Sequence, residues 1–394
     1  MDKQRFNENA PGRLIEFHDP DRNEKDWAFI PHEMPPTWPF HESLWPLLVE
    51  ARASLGKLDG IGAALPNPEL LLRPLQNREA VASSAIEGTH VTPEQLAFYE
   101  LDPKEPASVD EEAADWQEVY NYSRALQHGY AGLDQLPICN RLIKEMHRIL
   151  MHGVRGHDKQ PGEFRGVRVS VGKGYRFIPP PPEEVPRLMN NFEEYSNSVH
   201  ADVDPLIQCF IAHYQFETIH PFRDGNGRVG RAVLSLMVYL KLAQSMPWLY
   251  MSPYFDRHND RYESALFSVS ATGEWTEWVR FCLGGAIAQA NDSIRRCDAL
   301  KKLERVFQEK LKTGCDGPRI HPIVNSLFTS PVRTIPSVEK EFRVTYKTAR
   351  ADLERLVQCG ILQEVPESHP RLFYAPQIVA VAFRNLDGGV AASP

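Results

Sequence analysis

The chain has 394 residues, 42% of them hydrophobic and 24% charged, with a net charge of −8. An ordinary apolar fraction at this length implies a globular protein of roughly two or three domains. The acidic balance excludes a protein that coats nucleic acid over its whole surface, and leaves room for a local basic patch. Cysteines 139, 209, 282, 297, 315 and 359 are scattered with no C-x-x-C pair, which predicts reduced thiols in a cytosol. Met1 to Gly12 is polar and lacks the apolar segment of a secretory signal. The best apolar run, Ala232 to Leu240, is too short to span a bilayer. The expectation is a cytoplasmic protein with no membrane partner.

In chain order, residues 1–35 are charged and contain prolines, which predicts an extended arm over the core. Leu44, Leu47, Leu48, Ala51, Leu55 and Leu58 give residues 42–59 a helical spacing. A second helix is predicted over 69–88, with Gly88 as its C-cap. Helices follow at 93–100, 110–130 and 137–152, with a loop at Asp102 to Pro106. Pro161 to Gly174 alternates and is glycine-rich, the clear β signal of the first 300 residues. Pro179 to Pro182 reads as an ordered turn. Helices are then predicted at 183–198, 203–219, about 227–244, 258–270, 275–292 and 293–313. The residues therefore describe a mainly α domain with one small hairpin.

Between two of these helices lies His220-Pro-Phe-Arg-Asp-Gly-Asn-Gly-Arg-Val-Gly-Arg231. That inventory suits a polyphosphate. Gly225 and Gly227 let backbone N–H groups approach an anion. A helix starting near Gly227 would aim its free N–H groups and positive dipole end at the same place. Asp224 can hold a divalent cation against phosphate oxygens. Arg228 and Arg231 are i, i+3 and would share a helix face toward the phosphates. A neutral His220 could take a proton from an attacking hydroxyl. A zinc reading of His213, Glu217 and His220, on one helix face, lacks H-E-x-x-H and leaves the glycine-arginine loop unexplained.

This stretch matches H-x-F-x-[DE]-G-N-G-R-x-x-R at every defined position and so resembles the Fic (filamentation-induced-by-cAMP) family. The resemblance implies a Fic-type helical core that moves AMP from ATP to a Ser, Thr or Tyr hydroxyl of a protein, itself among the targets, and releases pyrophosphate. It makes His220 the general base, Phe222 the loop anchor and Asp224 the Mg²⁺ ligand. Gly225, Asn226 and Gly227 become the anion hole. Arg228 and Arg231 contact the β- and γ-phosphates, with Val229 and Gly230 in the same nucleotide-binding turn. Residues 161–183 resemble the family's β-hairpin flap, whose edge would align a target segment. Tyr262 stands where family members place an aromatic beside the adenine, although Tyr262-Glu263 replaces the common Tyr-Tyr.

Ser83-Ser-Ala-Ile-Glu87-Gly88 matches the family's inhibitory motif, [ST]-x-x-x-E-[GN]. A carboxylate delivered to Arg231 would compete with the γ-phosphate and repel the nucleotide. Ser83, four residues before Glu87, could orient it. The same glutamate could orient water for AMP removal, and the sequence leaves the dominant direction open. The implied division is an N-terminal helical region with the inhibitory helix (1–110), a Fic core (111–296), and a linker helix with a C-terminal module (297–394).

In that module a helix over 337–342, a turn at Arg343 to Thr345, a helix over 346–356 and strands at 361–365 and 372–374 suggest a winged helix-turn-helix. Residues 297–394 carry about 14 Lys and Arg against 11 Asp and Glu. Arg343, Lys347, Arg350 and Arg355 could meet DNA phosphates, but Asp352 and Glu354 interrupt them. DNA, protein contact and homodimerisation stay open for this module. Two other functions also stay open: a DNA-binding regulator with the Fic core as nucleotide sensor, and transfer of UMP or phosphocholine.

Overall fold

Helices predominate, as the periodicity predicts. The computed structural model describes residues 1–383 apart from 20–22, 65–67, 102, 104, 105, 107, 109, 110, 173–176, 316, 367 and 369. The elements in order are β1 (Gly12–Asp19), β2 (Glu24–Pro31), α1 (Trp45–Ala63), α2 (Glu69–Ile86), α3 (Pro93–Leu101), α4 (Glu112–Gly132) and α5 (Asn140–Leu150). They continue with α6 (Val185–Asn197), α7 (Pro205–Ile219), α8 (Asn226–Lys241), α9 (Ser252–Arg257), α10 (Asn259–Thr272) and α11 (Trp275–Lys310). The C-terminal part holds α12 (Ile320–Leu327), β3 (Val332–Thr334), α13 (Ile335–Phe342), α14 (Tyr346–Gln358), β4 (Gln363–Val365), β5 (Leu372–Tyr374) and α15 (Pro376–Phe383).

The centre is the pair α7 and α8. From Leu206 to Phe216 every residue of α7 is buried, and in α8 burial is continuous from Arg228 to Val238. A helix that is buried all round needs neighbours on every side. Among them, α6 and α10 pack on α7, and α2, α4 and α5 pack on α8. The long α11 lies against α1.

Polar groups fix α2 in this bundle. Glu79 is fully buried and accepts from the Tyr122 hydroxyl at 2.9 Å and from the Ser252 N–H at 3.0 Å. Arg78 pairs with Asp292 of α11, which also accepts from Arg296 at 2.8 Å. This buried pair, satisfied on both sides, lets α11 run unbroken where two helices are expected at 275–292 and 293–313.

Three other expectations are corrected. Residues 12–19 and 24–31 pair as two antiparallel strands, not an extended arm, with Gly12 opposite Pro31 and Asp19 opposite Glu24. Its strand β2 buries Ala28, Phe29 and Ile30, and the Phe29 N–H donates to the Ile178 carbonyl at 2.9 Å. In the alternating segment 161–174, whose last two residues lie outside the described ones, residues 161–170 form turns and loop, and the β pairing among the described residues is one antiparallel bridge, Val171 with Phe177. Hydrogen bonds to the loop below take the place of a ladder there. Lastly, Cys139, Cys209, Cys282 and Cys297 are buried free thiols, but Cys359 is disulfide-bonded. Scattered spacing carries no information on which cysteines the fold brings together.

The C-terminal part is as expected at α13 and α14, which meet at Arg343 in the left-handed region with φ 53°. It adds α12 and β3, and its sheet has the order β3-β5-β4.

Candidate active site

α7 ends at Ile219, and His220 caps it at φ 51°, a left-handed conformation uncommon outside glycine. Arg165 holds it there. Its Nε donates to the His220 carbonyl at 2.7 Å, and its Nη2 donates to the Pro180 carbonyl at 2.6 Å and the Ile219 carbonyl at 3.2 Å. One buried arginine thus ties the motif loop to the ordered proline turn. Phe222 is fully buried and stacks on His147 at 3.8 Å with an angle of 4°. The His147 Nδ1 accepts from the Gly162 N–H at 2.8 Å, which leaves Nε2–H to donate to the Asp224 carbonyl at 3.0 Å. Burial pushes the His147 pKa down to about 4, consistent with this neutral tautomer.

The Asn226 side chain closes the loop. It accepts from the Phe222 N–H at 2.8 Å and donates to the Phe222 carbonyl at 2.9 Å. Asn226 therefore brings only its backbone N–H to an anion. Gly225 enters α8 at φ 72°, and a Cβ there would run into the Met151 sulfur. α8 begins at Asn226, so the N–H groups of its first turn have no intrahelical partners.

Three charged groups of the motif, Asp224, Arg228 and Arg231, are each held by a group of opposite charge. Asp224 accepts from Lys159 Nζ at 2.6 Å. Arg228 Nη1 lies 2.8 Å from Glu118 of α4. Arg231 Nη2 donates to Glu87 at 2.8 Å and to the Ser83 carbonyl at 2.8 Å, and its Nε donates to the Ser83 hydroxyl at 2.9 Å. The two arginines therefore do not converge: Arg231 lines the cavity described below, whereas Arg228 turns toward Glu118. Ser83 orients Arg231 rather than Glu87. Glu87 is the C-cap of α2, and Gly88 follows at φ 95°. The Glu87 carboxylate lies directly over Gly227, in the space a Cβ would take.

A cavity of about 250 Å³ opens here, lined by His220, Glu217, Gly227, Arg231, Glu87 and Phe177 among others. Burial, then the Arg165 charge, pushes the His220 pKa down to about 4, so the imidazole is neutral at ordinary pH. Its Nδ1 faces the Glu217 carbonyl at 3.4 Å, which leaves the lone pair on Nε2. Burial raises the Glu217 carboxyl to about 7. Burial also opposes the charge on Arg231, but Glu87, Tyr262 and Glu217 outweigh it and hold the guanidinium above its usual value. Glu87 feels the same opposition from burial, and Arg231 overcomes it and keeps the carboxylate ionised.

Tyr262 reaches the cavity wall, yet it is only 4% exposed. Its ring stacks on Phe255 at 4.4 Å, and its hydroxyl meets His213 Nε2 at 2.9 Å. It is a core residue with little face for a base. The same bond withdraws His213 from a zinc site, and no three metal-binding side chains cluster among the described residues. Val229 is buried, and Gly230 gives room to the Glu217 carboxylate. Arg165, His147, Lys159 and Glu118 escape the sequence reading. Arg165 and Lys159 flank the P-G-E-F segment and had a signal. Glu118 is one acidic residue among several in α4 and had none.

The comparisons agree with this geometry. Residues 45–131 match the Fic/DOC family N-terminal region and residues 137–238 match the Fic/DOC family. Over those residues the chain is similar to the two regions of the Fic/DOC family. It is 36% identical over 135 residues to the protein adenylyltransferase Fic of Drosophila erecta. That alignment takes 33% of this chain and 25% of the fly protein, so the chain spans about a quarter of that relative's length. In fold it is similar to a Fic family protein from Desulfovibrio desulfuricans, with a TM-score of 0.55, 20% identity, and coverage of 86% of this chain and 97% of that one. A Fic domain containing signaling protein from Bacteroides thetaiotaomicron gives a TM-score of 0.51 at 20% identity, over 62% of this chain and 97% of that one.

Proposed function

We propose that this chain is a protein adenylyltransferase held in an inhibited state by Glu87. One observation carries the reading. The Glu87 carboxylate sits on Arg231 above Gly227, at the N-terminus of α8, in the same cavity as a neutral His220. A helix N-terminus with an arginine is built for an oxyanion, and a carboxylate is already there.

In the active state His220 Nε2 takes the proton from a protein hydroxyl. The freed oxygen bonds to the α-phosphorus of ATP, the bond from that phosphorus to the bridging oxygen breaks, and pyrophosphate leaves. Arg231 and the first N–H groups of α8 hold the departing charge. Asp224 suits Mg²⁺, because its hard carboxylate oxygen already attracts the Lys159 ammonium and a cation taking its other ligands from phosphate and water needs few side chains. Mg²⁺, when bound, offsets phosphate charge during the displacement. Burial opposes ionisation of Asp224, but Lys159 outweighs it and keeps the carboxyl below its usual value.

The reading carries the division at 1–110, 111–296 and 297–394, with the last part a winged helix used for protein contact. The order α12, β3, α13, turn, α14, β4, β5 supports that shape. Protein contact is favoured over DNA because Arg350 is bonded to Glu354, and Arg371 to both Glu354 and Glu364.

The test is transfer of label from ATP marked at the α-phosphate, wild type beside Glu87→Gly, with Mg²⁺. Strong labelling in the variant and weak labelling in the wild type is the expected result. No α-label in either protein, with label arriving from the γ-phosphate or another donor, would mean that another group is transferred.

A further inference from the structure

We infer that Glu118 is a positioning residue for Arg228 and that Thr89 couples it to the inhibitory turn, so that two carboxylates rather than one govern the phosphate site. The inference rests on the nucleotide-binding reading above and adds a regulatory path to it.

The Arg228 and Glu118 side chains are 5% and 3% exposed. A buried guanidinium normally has its N–H groups satisfied. Here it does not. Nη1 lies 2.8 Å from Glu118 as an ion pair without hydrogen-bond geometry, and among the described residues Nη2 reaches only the Met151 sulfur at 3.8 Å and Asp224 at 4.0 Å. Nε has no acceptor among the described residues. Glu118 thus anchors one edge of the guanidinium and leaves the other without a strong partner. A purely structural ion pair would waste those donors, since an unmet buried N–H is destabilising. Arg228 also lies in the first turn of α8, where the helix dipole favours an anion.

The link to inhibition runs through Thr89. Its hydroxyl donates to Glu118 Oε1 at 2.6 Å, and its N–H donates to the Ser84 carbonyl at 3.0 Å. Thr89 follows Glu87 and Gly88, so one turn touches both arginines. Glu87 holds Arg231 directly, and Thr89 reaches Arg228 through Glu118. Gly88, at φ 95°, has open space where a side chain would be. Rotation there to withdraw Glu87 would also move Thr89 off Glu118. Release of the inhibitory carboxylate and resetting of Arg228 are then one motion.

The test measures binding of a fluorescent ATP analogue with Mg²⁺ to the full chain in the Glu87→Gly background, with Tm recorded in parallel. Glu118→Gln keeps the size of the side chain and Glu118→Ala removes it. Both should weaken binding about tenfold, whereas Thr89→Val, which frees Glu118 as release of the turn would, should strengthen it about threefold. Thr89→Val should add nothing once Glu118→Gln is present, because it acts through that carboxylate. Unchanged affinity with a lowered Tm in the Glu118 variants would make Glu118 a structural residue and overturn the proposal. Multiplying effects of Thr89→Val and Glu118→Gln would overturn the coupling. Failure of Glu87→Gly itself to bind the analogue would sink the nucleotide reading, and this inference with it.

Discussion

Arginines paired with glutamates around α8 and around α14 mean different things in the two regions. Around α8, Arg231 and Arg228 are 2% and 4% exposed and each meets a glutamate from a separate helix or helix end. Around α14, the Arg350 and Arg371 side chains are 53% and 32% exposed and share Glu354. Surface pairs of the second kind contribute about 0–1 kcal/mol and are screened by salt. Buried pairs of the first kind exist only because each charge answers another, since removal of one leaves a desolvated ion. At the start of α8, where free backbone N–H groups also face the cavity, such a pair marks a place where one anion can stand in for another. An exposed arginine bound to its neighbour is part of a solvated face.

That contrast can be broken at several points. The largest expected effect is at His220, where the buried loop meets the chemistry. His220→Ala should lower α-label transfer in the Glu87→Gly background by about 10² to 10⁴-fold. Affinity for the nucleotide should stay the same, because Arg231 and the α8 N-terminus are untouched. Transfer at the parent rate would remove His220 as the base.

A smaller effect is expected at Glu217, whose carboxyl burial raises from 4.5 to about 7. Its folded form holds the proton more tightly than the unfolded chain does. The stability this gives is full below the ordinary value and is lost as pH rises through about 7. The Tm of the wild type should therefore fall relative to Glu217→Gln between about pH 5 and pH 8. Parallel Tm curves across that range would show that Glu217 is not held in its neutral form.

The smallest effect lies on the exposed side of the contrast. Arg350→Ala should change stability by less than about 1 kcal/mol in chemical denaturation. The full chain should give no salt-sensitive shift of duplex DNA. A shift that weakens in Arg350→Ala would return the C-terminal module to the DNA-binding reading.

Local patterning was legible wherever a face or a cap decides structure. Apolar spacing placed α1, and Gly225 and Gly88 stand at left-handed positions where the chain needs them. The segment 161–172 misled because alternation alone suggests a strand, whereas Arg165 and the proline turn use its polar groups otherwise. Asp292 looked like a break between two helices and is instead the partner of Arg78 and Arg296. Ser83 was read as an aid to Glu87 because the two are i, i+4, yet its hydroxyl accepts from Arg231.

The sequence by itself determined the chemistry available: a histidine, a carboxylate, glycines and arginines in one short motif, and a glutamate with its glycine far upstream. Those depend on residue type and short spacing, which a chain displays directly. Only the tertiary structure decided how the charges are paired. It set Arg231 against Glu87, Arg228 against Glu118 and Asp224 against Lys159, and it turned Tyr262 into the core. The physical reason is burial. Once water is excluded, each charge must find its partner from whatever element the fold brings near, and sequence spacing carries no record of that distance.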